Sequence, residues 1–259
     1  MKTRVHINPK YESKYGDFVR RLANEGMPSR AESLYSGRNH IYKIPIGEEA
    51  VNVKSFRRPS VFNSLVYTNF RKSKARRSYE NALYLIAHDL PTPAPIAWIE
   101  KKSGGRLSES YYICEQSPYE NNLRIWEKWD EATRDKVLYK YARLMVKIHE
   151  AGVWHHDLSP GNILWTDTAD DDIKFHIVDL NRMTLLNRPL NTKERFSNFR
   201  NINLVSAETA RLARHYADAV GMSPDKAEQL AVKTLADDRK RKERLHKIKK
   251  IIKMFHVKR

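Results

Sequence analysis

In the run His155-His156-Asp157-Leu158-Ser159-Pro160-Gly161-Asn162-Ile163-Leu164-Trp165, a carboxylate stands five positions ahead of an amide, with a Pro-Gly turn between them and apolar residues behind. Those two side chains can do chemistry together. A carboxylate such as that of Asp157 can accept the proton of an attacking hydroxyl, and an amide oxygen such as that of Asn162 can help hold a magnesium ion. Phosphoryl transfer uses both. The turn at Pro160-Gly161 would fold the pair toward one cleft. A polar surface turn ahead of a strand has the same composition, so the run gains meaning only from partners elsewhere in the chain.

Candidate partners occur on both sides of it. Asp179 closes an apolar strand over 173–178, where a second magnesium ligand would sit; a helix-capping Asp is the alternative. In Val51-Asn52-Val53-Lys54, the lysine points to the face opposite the two valines and suits a phosphate or a carboxylate, or else is a solvated edge lysine. Glu80 is the only carboxylate between Lys54 and Asp89. It borders the buried stripe of its helix, where it either meets Lys54 across the sheet or pairs with Arg76 or Arg77 on its own helix. The turn Ser36-Gly37-Arg38-Asn39-His40 is a weak candidate phosphate cradle, through its backbone N–H groups, and equally an ordinary hairpin.

The elements that must position these groups are legible from periodicity. Strands are expected to end near Tyr35 and to run over 41–46, 50–56, 96–100 and 110–115, with a helix between them that carries Ala75, Tyr79, Ala82, Leu83 and Ile86 on one stripe. Ahead of these, Tyr11, Tyr15, Phe18 and Leu22 mark a short packing helix. After Pro118 the composition turns helical. The clearest helix, over 131–151, buries Val137, Leu138, Tyr141, Leu144, Met145 and Ile148 and stops at Gly152, delivering the chain into the Asp157 run. Helical stretches follow at 206–220 and 224–236. The expected organisation is a helical extension (1–29), a small α+β part rich in sheet (30–116), a helical part (117–236) and a basic amphipathic helix (237–259).

The 259 residues are 41% hydrophobic, enough for a folded core, and the formal net charge is +17. A pI near 9.8 points to an anionic partner: nucleic acid, an anionic membrane, or a phosphorylated or acidic substrate. The block 57–77 holds Arg57, Arg58, Arg71, Lys72, Lys74, Arg76 and Arg77 without one acid and is read as facing an anionic surface or substrate. The last stretch, 239–259, carries eleven Lys and Arg, with Leu245, Ile248, Ile251, Ile252 and Phe255 at helical spacing. An anionic membrane face is the first reading of that stretch; RNA phosphates, or packing back on the protein, are the others. Cys114 is the sole cysteine, which fits a reducing compartment and reads as an inert buried thiol. No apolar leader or membrane-length run is visible, so a cytoplasmic protein is expected, with peripheral attachment to the membrane left open. The acidic loop with Asp167, Asp170, Asp171 and Asp172 reads as a solvated hairpin tip.

Lys54, Glu80, Asp157, Asn162 and Asp179 stand in the order and spacing of protein-kinase-like phosphotransferases. Within that superfamily the chain resembles the lipopolysaccharide core sugar kinases of the Kdo/WaaP type over roughly residues 30–205. The resemblance rests on Tyr35-Ser36-Gly37-Arg38-Asn39, on Lys74-Ala75 with Arg77-Ser78-Tyr79-Glu80-Asn81-Ala82, on Pro91-Thr92-Pro93, on the Asp157 run and on Asp179-Leu180-Asn181-Arg182. It implies a two-lobed protein-kinase-like α+β fold with a sheet-rich N-lobe and a shortened helical C-lobe. It also implies ATP- and Mg2+-dependent phosphorylation of a sugar hydroxyl on an anionic, lipid-linked saccharide at the cytoplasmic face of the inner membrane. In that reading Lys54 steadies the α/β-phosphates and Glu80 holds Lys54. Asp157 deprotonates the acceptor, and Asn162 and Asp179 hold magnesium. Gly37, Arg38 and Asn39 lie over the phosphates, and adenine sits at the backbone of Glu115 and Gln116. Asn52 departs from the small Ala that kinases place against adenine. A RIO-like kinase or ATPase in a ribonucleoprotein setting and a non-catalytic pseudokinase are the rival readings, with nucleic acid a less favoured partner.

Overall fold

Alternating apolar residues build the first half of the chain into a sheet, and 3.6-residue periodicity builds the second half into helices. The computed structural model describes residues 2–56, 72–168, 172–202 and 206–257. The chain divides into two compact units. The first comprises Met1–Glu120, Leu164–Thr166 and Lys174–Arg182, and the second comprises Asn121–Ile163, Asp167–Ile173 and Met183–Arg259. Of the basic block, Arg57, Arg58 and Arg71 lie outside the described residues, as do Asp170 and Asp171 of the acidic loop.

In the first unit, β1 (Lys2–Ile7), β2 (Glu32–Ser36), β3 (Asn39–Ile46), β4 (Glu49–Phe56), β5 (Pro95–Ser103) and β6 (Arg106–Glu115) form one sheet in the order β1-β5-β6-β4-β3-β2. The helices are α1 (Glu12–Glu25) and α2 (Lys74–Ala87). One face of the sheet buries Ile44, Val51, Val53, Ile96, Ile99 and Ile113 under Tyr15, Phe18, Val19 and Leu22 of α1. Each such aliphatic side chain contributes about 1.5–3 kcal/mol when fully buried. The opposite face of β4 carries Asn52, Lys54 and Phe56, and α2 packs against β4, β5 and β6.

Three expectations shift here. Residues 1–29 are not a separate extension: β1 pairs antiparallel with β5 from Lys2↔Lys102 to Ile7↔Ala97. Its side chains stay exposed up to Ile7, so a strand held by backbone pairing left no apolar signal. On α2 the buried stripe runs through Ala75, Tyr79, Ala82 and Leu85, while Leu83 and Ile86 are 41% and 44% exposed. The helix is thus rotated by about one position from the stripe read in the sequence. Finally, the Asp179 segment clusters with the sheet-rich unit and not with the helices.

In the second unit, β7 (Asn121–Asn122) precedes α3 (Glu131–Glu150), whose Asp130 cap accepts from the Thr133 N–H at 2.8 Å. All six apolar residues expected on the inner face of α3 are buried. Gly152 ends it at φ 70°, where a Cβ would strike the Leu186 and Arg188 carbonyls, so only glycine fits. Then come β8 (Val153–His155), β9 (Ile163–Asp167) and β10 (Ile173–Ile177), of which Leu164–Thr166 and Lys174–Ile177 belong to the first unit, and in the second unit β11 (Met183–Leu185), α4 (Thr192–Ser197), α5 (Ser206–Val220) and α6 (Pro224–Val257). The segments expected as 224–236 and 237–259 form a single helix. Asp238 is buried inside it and paired with Arg241 and Lys242 at 2.8 and 2.6 Å, which carries the helix through the start of the basic stretch. The acidic loop is matched to α3: Lys140 meets Asp172 at 2.6 Å, and Lys136 meets Asp167 at 3.3 Å.

His149 locks α3 to the helices behind it. Its Nε2 accepts from the Asn198 amide at 2.9 Å, so its Nδ1 carries the proton and donates to the Tyr216 hydroxyl at 2.9 Å. Burial, with the Arg195 guanidinium adding repulsion, lowers the imidazole to about 3. A pKa depressed in the folded state means the unfolded chain binds the extra proton first. His149 is therefore expected to cost stability progressively as pH falls below about 6.5, levelling only near its folded value. Melting temperatures from pH 8 to pH 5 should fall less steeply in His149→Gln than in the parent; equal slopes would contradict this.

Candidate active site

Within the first unit, the end of β10 is latched before it delivers Asp179. The Ile177 N–H donates to the Pro91 carbonyl at 2.8 Å, and the Thr92 hydroxyl donates to the Ile177 carbonyl at 2.7 Å. The buried Asn81 amide of α2 then holds the Leu180 carbonyl at 2.7 Å. Pro91-Thr92 and Asn81 thus act as the physical anchors of Asp179-Leu180-Asn181. Asp179 itself sits at φ 60°, a left-handed conformation uncommon for a residue with a side chain. Its carboxylate takes the Lys54 ammonium at 2.6 Å and the Asn181 amide. The Lys54 side chain is 11% exposed, so its charge is met by a carboxylate in a largely dry place.

The partner of Lys54 is therefore Asp179. The pairing with Glu80 that the family resemblance implied is not formed. Glu80 accepts from Lys72 at 2.7 Å and from Arg76 at 2.9 Å, one turn earlier on α2. These two cations hold its carboxyl below the usual range against the opposing effect of burial, which is the largest single influence. The pairing also corrects the picture of a wholly unpaired basic block. Exposed pairs of this kind contribute about 0–1 kcal/mol. Glu80→Ala is expected to change phosphoryl transfer less than about threefold; a loss near 10²-fold would show that Glu80 acts on Lys54 during turnover.

The turn Gly37–Asn39 is closed by a Gly37 N–H to Asn39 carbonyl bond of 3.2 Å. Arg38, at its tip, is one of the cations whose charge acts on Lys74 at the start of α2, together with Lys54 and Asp179. Sequence reasoning counted Lys74 in the basic block and did not single it out as a residue of the site. The signal was a lysine at the first position of a Ser73-capped helix with no acidic residue in its first turn. At the strand end, the N–H groups of Glu115 and Gln116 already donate to the Ala94 and Ala50 carbonyls at 3.0 and 3.1 Å. The expected backbone recognition of adenine there cannot use those two donors. A side-chain pair stands beside them, with the Asn52 amide donating to the Gln116 carbonyl oxygen at 2.9 Å. Burial drives the Cys114 thiol up to about 12, as befits an inert core residue.

Within the second unit, Pro160–Asn162 is a single 3-10 turn. It brings the Asn162 Nδ2 to the Asp157 carbonyl at 2.8 Å, and that carbonyl also accepts the Ser159 N–H at 2.8 Å. Because the amide nitrogen is engaged in this way, Asn162 Oδ1 is the end left to face a cation. The Asp157 N–H donates to Nδ1 of the buried His155 at 3.1 Å, and His156 meets the Thr184 hydroxyl of β11 at 2.8 Å. The Asp157 backbone thus makes three of the bonds of this turn. A Cβ at Gly161 would strike the Arg124 guanidinium, which lies directly on the turn. Sequence reasoning had no means of placing Arg124 there.

The donors of a divalent-ion site are hard oxygens. Asp179 in the first unit carries a carboxylate and Asn162 in the second an amide oxygen, each a donor type that suits Mg2+ when phosphate oxygens and water supply the rest. The described residues hold no cluster of three or more His, Cys, Asp or Glu that could bind a metal without such help.

A model of the lipopolysaccharide kinase (Kdo/WaaP) family matches residues 57–220. The chain belongs to that family and so to the phosphotransferases. The match takes in Glu80, Asp157, Asn162 and Asp179, begins just after Lys54 and ends before α6. No sequence match was found among curated proteins. Among solved structures, one described as WaaP in complex with acyl carrier protein is similar at TM-score 0.63 and 15% identity, covering 93% of this chain and 99% of that one. An aminoglycoside-3'-phosphotransferase of type VIII is similar at TM-score 0.56 and 14% identity, covering 87% and 99%. At such identities the likeness concerns the fold, which is the two-lobed, protein-kinase-like α+β fold.

Proposed function

We propose that the protein transfers the γ-phosphate of ATP to a sugar hydroxyl of lipopolysaccharide core or a related lipid-linked saccharide. The observation that carries this reading is the Asp157–Asn162 turn in a chain of this family: a carboxylate five residues before an amide whose nitrogen holds the Asp157 carbonyl at 2.8 Å and whose oxygen is left for a cation. Asp157 orients the acceptor hydroxyl and takes its proton. Lys54 neutralises phosphate oxygens, and Asp179 and Asn162 hold the magnesium. Magnesium, when bound, neutralises charge that builds on the phosphates. Arg38 in the Gly37–Asn39 turn adds a cation for the phosphates. Base recognition near Glu115 and Gln116 rests on carbonyls and on the Asn52–Gln116 side-chain pair. Mass spectrometry of surface glycolipids from cells with and without the gene should show a difference of one phosphate; identical glycolipids would defeat the assignment.

The same reading places the protein at the cytoplasmic face of an anionic membrane. No described helix is long and apolar enough to cross a membrane. The start of the basic part of α6 leaves Leu245 and Ile248 48% and 52% exposed among cations, which suits an interfacial helix. Ile251, Ile252 and Phe255 are not among the side chains described. Flotation with vesicles rich in anionic lipid should carry the protein, and lengthening the salt range should release it; flotation that is equal on neutral vesicles would argue against the electrostatic contact.

A further inference from the structure

We propose that Lys74 is a second triphosphate-binding cation of this nucleotide site, acting beside Lys54; the proposal rests on the ATP-kinase reading above. The two ammonium groups flank one side chain. Lys54 Nζ lies 5.6 Å and Lys74 Nζ 5.8 Å from the ring centroid of Phe56, which is itself only 4% exposed. Phe56 therefore acts as a fixed spacer that orients both amines, one from the end of β4 and one from the first position of α2.

The charge around Lys74 is unbalanced in the direction of an anion. Lys72 and Arg76 share Glu80, and Lys54 has Asp179, but among the described residues no ion pair is made by Lys74. Burial first, and then repulsion from Arg38 and Arg77, holds its amine below the usual lysine range, with Asp179 acting against this. It also sits at a helix N-terminus, where the backbone N–H groups and the dipole already favour negative charge and where cations are disfavoured. A lysine kept charged in such a position loses stability in the empty protein. It gains when a polyanion arrives, because the triphosphate meets Lys74, Lys54 and Arg38 together. A lysine present only to cover Phe56 with its stem would need none of this surplus charge.

The two roles separate by ligand. A cation for the β- and γ-phosphates is felt by ATP and not by AMP, whereas a packing role is felt by both or by neither. Binding of ATP with Mg2+, and of AMP alone, should be measured by calorimetry on the full chain for the parent, Lys74→Met and Lys74→Arg. The expected result is that Lys74→Met weakens ATP binding roughly tenfold or more with AMP changed less than twofold, and that Lys74→Arg keeps ATP binding near the parent value. ATP affinity within twofold of the parent in Lys74→Met overturns the proposal, and so does a parallel loss of ATP and AMP. If the parent binds neither nucleotide, the kinase reading fails and this role fails with it.

Discussion

Replacing Asp157 by alanine is expected to lower phosphoryl transfer by roughly 10³-fold, the scale of a lost general base, with the melting temperature within about 2 °C of the parent. The separation of the two effects follows from how the turn is built. Three bonds of the turn are made by the Asp157 N–H and carbonyl: to His155 Nδ1, from the Ser159 N–H and from the Asn162 amide. All survive truncation of the side chain. Nucleotide affinity should survive as well, because the phosphate-binding groups are other residues. Asp157→Asn, which keeps the shape, should be nearly as slow. Full activity in either variant would remove Asp157 from the role of base, and a collapse in stability would show that the carboxylate is structural.

Asp179→Asn should act on stability and activity at once. Asparagine tolerates the left-handed backbone at φ 60°, so the conformational cost stays small. The charge, however, is gone, and Lys54 is left largely buried without its carboxylate. Removing one partner of a fully buried pair costs about 3–5 kcal/mol; with side chains 11% and 25% exposed, a loss of about 1–3 kcal/mol is the reasonable scale. Activity should fall at least 10²-fold as an electrostatic partner of the transferring phosphate is lost. The double variant Lys54→Met/Asp179→Asn separates the two consequences. Without the unpaired ammonium it should recover part of the stability and none of the activity. A double variant as unstable as the sum of the singles would mean that the 2.6 Å pair is not an energetic unit.

The parts of this protein legible in its sequence are those in which one periodicity or one motif decides the outcome. The inner face of α3 could be read because six apolar residues recur at helical spacing. The strands β3, β4, β5 and β6 could be read because short runs rich in apolar, β-branched and aromatic residues stand between turn signals. The Asp157–Asn162 turn was legible because its residues are adjacent in the chain. The first strand was not, since an exposed edge strand is held by backbone bonds that any side chain permits. The partner of Lys54 was not legible either. Glu80 and Asp179 are both carboxylates at plausible distances in sequence, and the choice between them is made by Asn81, Pro91 and Thr92 fixing one segment, and by Lys72 and Arg76 claiming the other acid. Lys74 was hidden for a related reason: among so many basic residues, only the shared Phe56 ring and the absence of an acid in its turn set it apart.

The sugar-kinase assignment is tested most directly by incubating the purified protein with γ-labelled ATP, Mg2+ and core saccharide and following the label into the saccharide. Label on the sugar, one phosphate per acceptor, dependent on all three components, is the expected result. ATP and Mg2+ bound by the protein but no label on any core saccharide, or label recovered only on protein, would contradict it.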